Sequence, residues 1–383
     1  MQPSSPTPPT VTLPTIPATY AAPTTPLASA AGAPPTQLLA PAAKRIRTWP
    51  AALALLFVSP GIAELLSGST PPLLFVQPFA LIFLPTLYGI SALLIREIMV
   101  RRGLGWGNAL LMGAAFGIFQ EALVVQTWFN FVSPRSPAYS YGTYGAVWGT
   151  SWNWALNLTI YHAFISITAP LILIGLLFPR QAALPWLGRK RIVALTLWLL
   201  ASCGLLAYAV AFTQLAADGY SGPPLVPYLV AAGLTILAML LGAFVRFPVP
   251  QPARSPRRAP RPWVVRLAIF GLIVLFFVVT FILPATHLPA MVDAAVGAAL
   301  FALAVWRVRA WSARPGWGDR HWLALPTGIV LYFALLWGPL VEFAAHQPQG
   351  QGLVLTDLLA LVLLLLFDWR LKRRAATMIR EQQ

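Results

Sequence analysis

The strongest constraint on this chain is a succession of long apolar runs, separated by short breaks, that begins after residue 43. A helix needs about 20 residues to cross a hydrocarbon layer ~30 Å thick, and helices satisfy their own backbone hydrogen bonds inside lipid. Charged residues make up 9% of the chain, whereas soluble domains carry roughly a quarter. The sequence therefore predicts an all-α fold, a polytopic transmembrane helix bundle.

Ten runs have the length and composition of a membrane-spanning helix. They cover residues 49–66, 76–98, 107–128, 152–178, 192–213, 224–246, 263–284, 288–306, 322–343 and 352–369. The first and eighth runs are short, so for each of them a re-entrant helix is the alternative to a full membrane span. Prolines inside the runs, at Pro60, Pro78, Pro85 and Pro339, predict kinks or broken helices, because proline cannot donate a backbone hydrogen bond.

The basic residues predict the orientation of the spans. Of the 26 lysines and arginines, all but Arg135 lie in the two tails or around the connections that follow even-numbered runs. Cytoplasmic connections are enriched in Lys and Arg, so the pattern predicts ten spans with both termini cytoplasmic in a bacterial-type cell membrane. The net charge of +16 then indicates contact with anionic lipid headgroups at the cytoplasmic face, not nucleic-acid binding.

The two ends of the chain differ from the apolar centre. Residues 1–43 contain 11 prolines and no charged side chain, a composition typical of a disordered or polyproline tail, since proline interrupts helices. The predicted transmembrane domain covers residues 44–375, and residues 376–383 form a short cytoplasmic tail. The lone cysteine, Cys203, excludes an intramolecular disulfide.

The third run contains a buried carboxylate beside two small residues. Gly113, Gly117 and Glu121 are four residues apart and share one helix face. Glycines on that face predict close approach of a neighbouring helix, which would pack Glu121 against protein instead of lipid. An ionisable group in such a position usually marks function, because leaving it in hydrocarbon costs several kcal/mol.

The fourth run supplies a matching imidazole. Thr159, His162 and Ser166 fall on one helix face, and further polar residues occupy the opposite face, which predicts a helix inside the bundle. Consecutive antiparallel helices would bring His162 close to Glu121, directly or through a water molecule. The pair is either an interhelical contact that holds the bundle together or a site for a proton, a metal or a substrate.

Other acidic residues in the runs receive local interpretations. Asp293 and Asp357 lie about five residues into their runs and are predicted contributors to the same polar site. Two carboxylates near the outer ends of their runs, Glu64 and Glu342, are interpreted as side chains that extend to the membrane interface. Two at the inner edge are each followed by a base four residues later, which predicts the ion pairs Glu97–Arg101 and Asp368–Lys372.

The third and fourth runs resemble the CPBP family, the CAAX-type intramembrane proteases. That family carries a Glu-Glu motif on one helix and, on the next, a histidine that follows a phenylalanine. Glu121 and His162 match in order and separation, whereas Gln120 and Leu158 replace the family's Glu and Phe, and no histidine follows in the fifth or sixth run. The chain as a whole resembles uncharacterised bacterial polytopic membrane proteins. The resemblance implies a degenerate relative of the peptidases.

Three functions follow from these features. The leading hypothesis is a transporter-like protein for a small molecule or ion, with an outward-facing site at Glu121 and His162 assisted by Thr159, Ser166, Asp293 and Asp357. The first alternative is a CPBP-like metal-dependent peptidase in which Glu121 activates water near a metal on His162. The second is a membrane scaffold or assembly factor that acts through residues 1–43. No nucleotide-binding or zinc-protease motif occurs, so no cofactor is predicted.

Overall fold

The computed structural model describes residues 46–133, 136–210, 218–248, 257–286, 288–344 and 350–381. These residues are mostly helical, and a helix lies at each of the ten predicted runs. The helices are α1 (Trp49–Leu65), α2 (Pro78–Arg102), α3 (Trp106–Val124), α4 (Trp152–Leu177), α5 (Arg189–Ala209), α6 (Leu225–Phe244), α7 (Pro262–Phe281), α8 (Ala290–Ser312), α9 (Asp319–Phe343) and α10 (Leu353–Glu381). In this described part of the chain, the eight helices α2 to α9 are long and apolar enough to cross a membrane. The ten-span count and the sides of the termini stay predictions.

The remaining elements are short. They are the helices Pro72–Phe75 and Pro179–Ala182, the 3₁₀ turns Pro137–Tyr141 and Leu283–Thr286, and the strands β1 (Ala146–Val147) and β2 (Thr150–Ser151). The two strands form an antiparallel pair with Ala146 opposite Ser151. The predicted tail at residues 1–43 lies outside the described residues. At the other end, α10 continues to Glu381, so the predicted boundary after residue 375 falls inside a helix.

Several helices contain π-helical turns, in which the backbone hydrogen bond spans one residue more than in an α-helix. These turns are Gly61–Leu65, Pro85–Gly89, Phe119–Val124, His162–Thr168, Phe333–Trp337 and Leu340–Ala344. Of the prolines at which a kink or break is predicted, Pro60, Pro85 and Pro339 lie at or beside one of the turns. Pro78 is instead the first residue of α2, a position that proline suits, and does not kink the helix. The turns in α3 and α4 have no such marker in the prediction. Turns of this kind are frequent at functional sites.

Helix α4 lies at the centre of the bundle, as its two polar faces predict. It is the most deeply buried of the eight candidate spans, and it contributes side chains to all three apolar clusters of the core. The predicted close approach to α3 is confirmed. A Cβ atom at Gly113 would lie 2.9 Å from the Cα of Ala163, and one at Gly117 would lie 2.9 Å from the Cβ of His162.

Ion pairs lie at the end of the bundle that carries the basic connections, which we term the basic end. The predicted pair of Glu97 with Arg101 is present at 3.1 Å. Asp368 instead pairs with Arg320 of α9, at 2.8 and 2.9 Å, where the spacing predicts Lys372. A guanidinium from a neighbouring helix binds both carboxylate oxygens at once, which a lysine one turn away cannot do.

Candidate functional site

A cavity of about 370 Å³ lies in the half of the bundle opposite to the basic end, and we term it the polar cavity. Its volume is within the range of small-molecule sites. The ionisable and aromatic side chains on its walls are Glu64, Glu121, His162, Tyr88, Trp154, Tyr161, Phe276, Phe277, Phe281 and Trp337. Among the described residues that line it, none is a lysine or an arginine. The walls therefore combine two carboxylates and one imidazole with aromatic rings.

Glu121 and His162 form a hydrogen-bonded pair at the wall of this cavity. Glu121 Oε1 lies 2.9 Å from His162 Nε2, and His162 Nδ1 lies 2.8 Å from Ser166 Oγ. An ionised carboxylate only accepts hydrogen bonds, so with Glu121 ionised the imidazole donates from Nε2. The contact with Ser166 then suits either a neutral ring, whose Nδ1 accepts, or an imidazolium, whose Nδ1 donates. Glu121 is 6% exposed and His162 is 2% exposed. The two groups are thus an acid–base pair largely shielded from bulk water.

The second oxygen of Glu121 is held from the segment that follows α3. Thr127 donates a hydrogen bond to Glu121 Oε2, and Trp154 Nε1 donates to Thr127 Oγ1 at 3.0 Å. Gln126, immediately before Thr127, has φ of +59°. A non-glycine residue in this left-handed region costs about 1–2 kcal/mol and persists only where the surroundings impose it. Here it turns the chain so that Thr127 faces Glu121.

Glu64 completes the site, and the sequence interpretation of this residue was wrong. Its side chain lines the polar cavity, where Tyr88 donates to Glu64 Oε1 and Thr70 donates to Oε2 at 2.8 Å. Gln120 in turn donates to the Tyr88 hydroxyl. These contacts connect Glu64 of α1 to the residue next to Glu121 on α3. The one local signal that pointed to Glu64 is its position four residues after Pro60, where a broken helix turns a carboxylate inward.

Five polar residues of the cavity wall lie on π-helical turns. Glu64 is in Gly61–Leu65, Tyr88 in Pro85–Gly89, Gln120 and Glu121 in Phe119–Val124, and His162 in His162–Thr168. Ser59 joins these turns, since its hydroxyl donates to the backbone oxygen of Ser166 at 2.8 Å. A π turn displaces the side chains that follow it relative to a regular helix. The four turns together direct polar groups from four helices into one space.

The sequence profile of an uncharacterized membrane protein family matches residues 53–381, which include every helix of the bundle except the start of α1. The chain belongs to this family. No curated protein and no solved structure matches it. Membership agrees with the apolar helices in placing the protein in a membrane, and the family's description assigns no activity to the polar cavity.

Three predicted site residues lie elsewhere in this membrane protein. Thr159 donates to the carbonyl oxygen of Ala155 at 2.7 Å, as hydroxyls in helices commonly do, and does not line the cavity. Asp293 on α8 accepts a hydrogen bond from Asn153 at 2.7 Å. Asp357 is buried on α10 against Gly338, where a Cβ atom would lie 2.4 Å from its Oδ2. The position of a residue along its own helix carries no information on which helices are neighbours.

The site does not have the composition of a metal centre. Within the described part of the chain, no three His, Cys, Asp or Glu side chains are grouped closely enough to hold a metal ion. Both ring nitrogens of His162 are within hydrogen-bonding distance of Glu121 and Ser166. The residues of this family member therefore do not fit the metal-dependent peptidase that the CPBP resemblance implies. The proposed scaffold function rests on residues 1–43, outside the described residues.

Proposed function

We propose that the protein is a transporter-like, multi-pass protein of the cell membrane whose polar cavity binds a small organic cation, such as an amine. One observation carries the proposal: two carboxylates, Glu64 and Glu121, line a single aromatic-walled cavity that has no lysine or arginine among its described lining residues. Burying one carboxylate without a counter-charge is costly, and burying two at one cavity is costlier. A bound cation would offset that cost.

The aromatic walls suit the same class of ligand. Rings of Trp154, Tyr161, Phe277 and Trp337 line the cavity together with the carboxylates. Cations bind to the faces of aromatic rings through the ring quadrupole, and the interaction strengthens when water is excluded. An apolar wall with a few polar groups is also the common form of a small-molecule site. The cavity therefore favours an organic cation with an apolar body over a hydrated metal ion.

The acid–base pair supplies a route for protons. A substrate cation that binds at Glu121 competes with His162, because the imidazole already forms a hydrogen bond with the same carboxylate. When His162 is protonated, a cation that binds at Glu121 would take the place of the imidazolium beside the carboxylate and release the proton, as in exchange of one cation for another.

Uptake into proteoliposomes tests this proposal. A panel of radiolabelled primary to quaternary amines is offered to wild-type protein with and without a pH gradient. We expect accumulation of at least one amine, a loss of at least about tenfold in Glu121→Gln and Glu64→Gln, and loss of the pH dependence in His162→Gln. Amide variants keep the size of each side chain, so that removal of the charge is the main change.

Glu342→Gln is the matched control. This carboxylate lies on α9 outside the cavity lining, and it accepts hydrogen bonds from the backbone nitrogens of Gly352 and Val354 at 3.0 and 2.7 Å. Its amide variant should transport like wild type. If the wild type transports an amine and both Glu121→Gln and Glu64→Gln transport it equally well, the proposed cation site is wrong. Absence of uptake by wild type, with amine binding that both variants lose, would refute transport and retain the cation site.

A further inference from the structure

A second cavity, of about 360 Å³, lies in the basic half of the bundle. Its walls come from α3, α4, α7, α8 and α9 and are almost entirely apolar, and we term it the apolar groove. On α8, Leu300, Ala304, Val308 and Ser312 line it. They recur every four residues, so they form a stripe along one helix face. The stripe is ~18 Å long at a helical rise of ~1.5 Å per residue.

The groove exists because α8 is fastened to α4 at one end only. At the end opposite to the basic end, Asn153 donates to Asp293 Oδ2 at 2.7 Å and to the carbonyl oxygen of Ala290 at 2.9 Å. A Cβ atom at Gly297 would lie 3.1 Å from Asn157 Oδ1. Beyond this region, Ala304 is the only buried residue of α8 among those described. Toward the basic end, α8 therefore diverges from α4, and the groove is the space between side chains of the two helices.

The mouth of the groove lies at the basic end and carries a guanidinium and two indoles. Arg309 lines the mouth, is exposed, and donates one hydrogen bond to the carbonyl oxygen of Pro248 at 3.1 Å. The rings of Trp106 and Trp322 lie 5.5 Å apart beside it. Indoles are enriched at the level of lipid headgroups, and a guanidinium has further donors that match the oxygens of a phosphate.

We propose that the apolar groove binds one acyl chain of an anionic phospholipid, with the phosphate at Arg309. The ~18 Å stripe slightly exceeds half of a ~30 Å hydrocarbon core, which is the depth that the chains of one leaflet occupy. The charge at the mouth is complementary to the headgroup. Tyr161 and Phe276 line both the groove and the polar cavity, so the chain would end against the wall of that cavity. The lipid site does not depend on the proposed transport function.

Photo-crosslinking of the wild-type protein is the first test. The full chain is reconstituted with a phosphatidylglycerol that carries a diazirine at the end of one acyl chain, irradiated, digested and mapped by mass spectrometry. We expect crosslinks on the groove face of α8 and on Phe164 and Thr168 of α4, which line the groove. Crosslinks confined to exposed positions such as Ala302 and Trp306 would overturn the proposal, because bulk lipid reaches those positions.

A matched pair of tryptophan variants is the second test. Ala304 is buried and lines the groove, whereas Ala302 lies on the same helix and is exposed. Native mass spectrometry of the purified chain follows titration with phosphatidylglycerol. Ala304→Trp should bind about tenfold more weakly, the effect of excluding roughly two methylenes, and Ala302→Trp should bind like wild type. Equal binding by the two variants would overturn the proposal, as would a dimer of the wild type that only Ala304→Trp dissociates.

The headgroup is tested by Arg309→Gln. This variant should keep its affinity for phosphatidylcholine and lose the preference for phosphatidylglycerol that the wild type shows. If wild type and variant bind the two lipids with the same ratio, the proposed phosphate contact is wrong. The crosslinking experiment needs no substitution, so it decides the question even if Ala304→Trp fails to fold. None of these measurements depends on Glu121 or His162.

Discussion

The protein contains two cavities of nearly equal volume, about 370 and 360 Å³, that differ in almost every other respect. The polar cavity has two carboxylates and an imidazole on its walls, and five of its polar side chains lie on π-helical turns. The apolar groove is lined along α8 by a regular helical stripe. Inside a membrane, volume alone therefore says little about a ligand, because the ionisable groups on the wall decide whether a charge can be held.

The two cavities also differ in how their walls are packed. Beside the polar cavity, backbone meets backbone, since a Cβ atom at Gly89 would lie 2.3 Å from the backbone oxygen of Leu56 and one at Gly117 would lie 3.1 Å from the Cα of Thr159. The wall of the groove between α4 and α8 is instead formed by side chains, including the rings of Phe164 and Phe301 at 5.2 Å. Side chains can change rotamer and backbones cannot, so we expect substitutions to cost more at the polar cavity.

The largest expected effect is that of Gly89→Ala, next to Tyr88. The new Cβ atom would lie 2.3 Å from the oxygen and 2.7 Å from the Cα of Leu56, so α1 must move. We expect the free energy of unfolding, measured by denaturant titration in detergent, to fall by about 3 kcal/mol or more. Gly175→Ala on α4 is the control, because nothing lies within 4 Å of its Cβ position. A similar loss in both variants would contradict the packing argument.

The next effect is the coupling between Glu121 and His162. A double-mutant cycle with Glu121→Gln and His162→Gln, measured on unfolding, should give a coupling energy of about 1–3 kcal/mol because the pair is buried and in contact. The reference is the ring pair Phe164 and Phe301 at the groove, for which alanine variants should give about 0.5–1.5 kcal/mol. A coupling energy between Phe164 and Phe301 larger than that between Glu121 and His162 would contradict the expectation that the polar cavity has the stronger pairwise interactions.

A smaller effect is expected where α8 joins α4. Asp293→Ala removes one of the two acceptors of the Asn153 amide and leaves one buried N–H group without a partner, which should lower the free energy of unfolding by about 1–2 kcal/mol. Asp293→Asn keeps an acceptor oxygen and should lose less. Because the groove depends on the separation of α8 from α4, Asp293→Ala should also change phosphatidylglycerol binding. Unchanged stability and binding together would show that this contact does not shape the groove.

The smallest expected effect is that of Ser166→Ala. The variant removes the hydroxyl at His162 Nδ1 and leaves the backbone oxygen that accepts from Ser59. Loss of one hydrogen bond costs roughly 1 kcal/mol. Ser91→Ala is the comparison, because that hydroxyl donates only to Leu87 one turn earlier on the same helix. A greater loss of stability at Ser91 than at Ser166 would contradict a specific role for the contact with the imidazole.

Local periodicity accounts for the part of the site that the sequence predicted. The spacing of Gly113 and Gly117 with Glu121 needs only the geometry of one helix, and the next span along the chain is the natural partner because consecutive elements are usually adjacent in space. The structure accordingly brings Glu121 and His162 into contact. Glu64 escaped prediction because its partners Tyr88 and Gln120 come from helices whose arrangement no single-helix pattern encodes.

The composition of this chain, with long apolar runs and few charges, determined that it is a helical membrane protein, because lipid leaves a spanning backbone almost no other way to pair its polar groups. Helical spacing also determined which side chains share a face. Only the tertiary structure decided that Glu64 reaches the polar cavity, that Thr159, Asp293 and Asp357 do not, and that α8 separates from α4. Those outcomes depend on which helices pack together and where π turns displace their side chains, and both arise from contacts between segments distant in the chain.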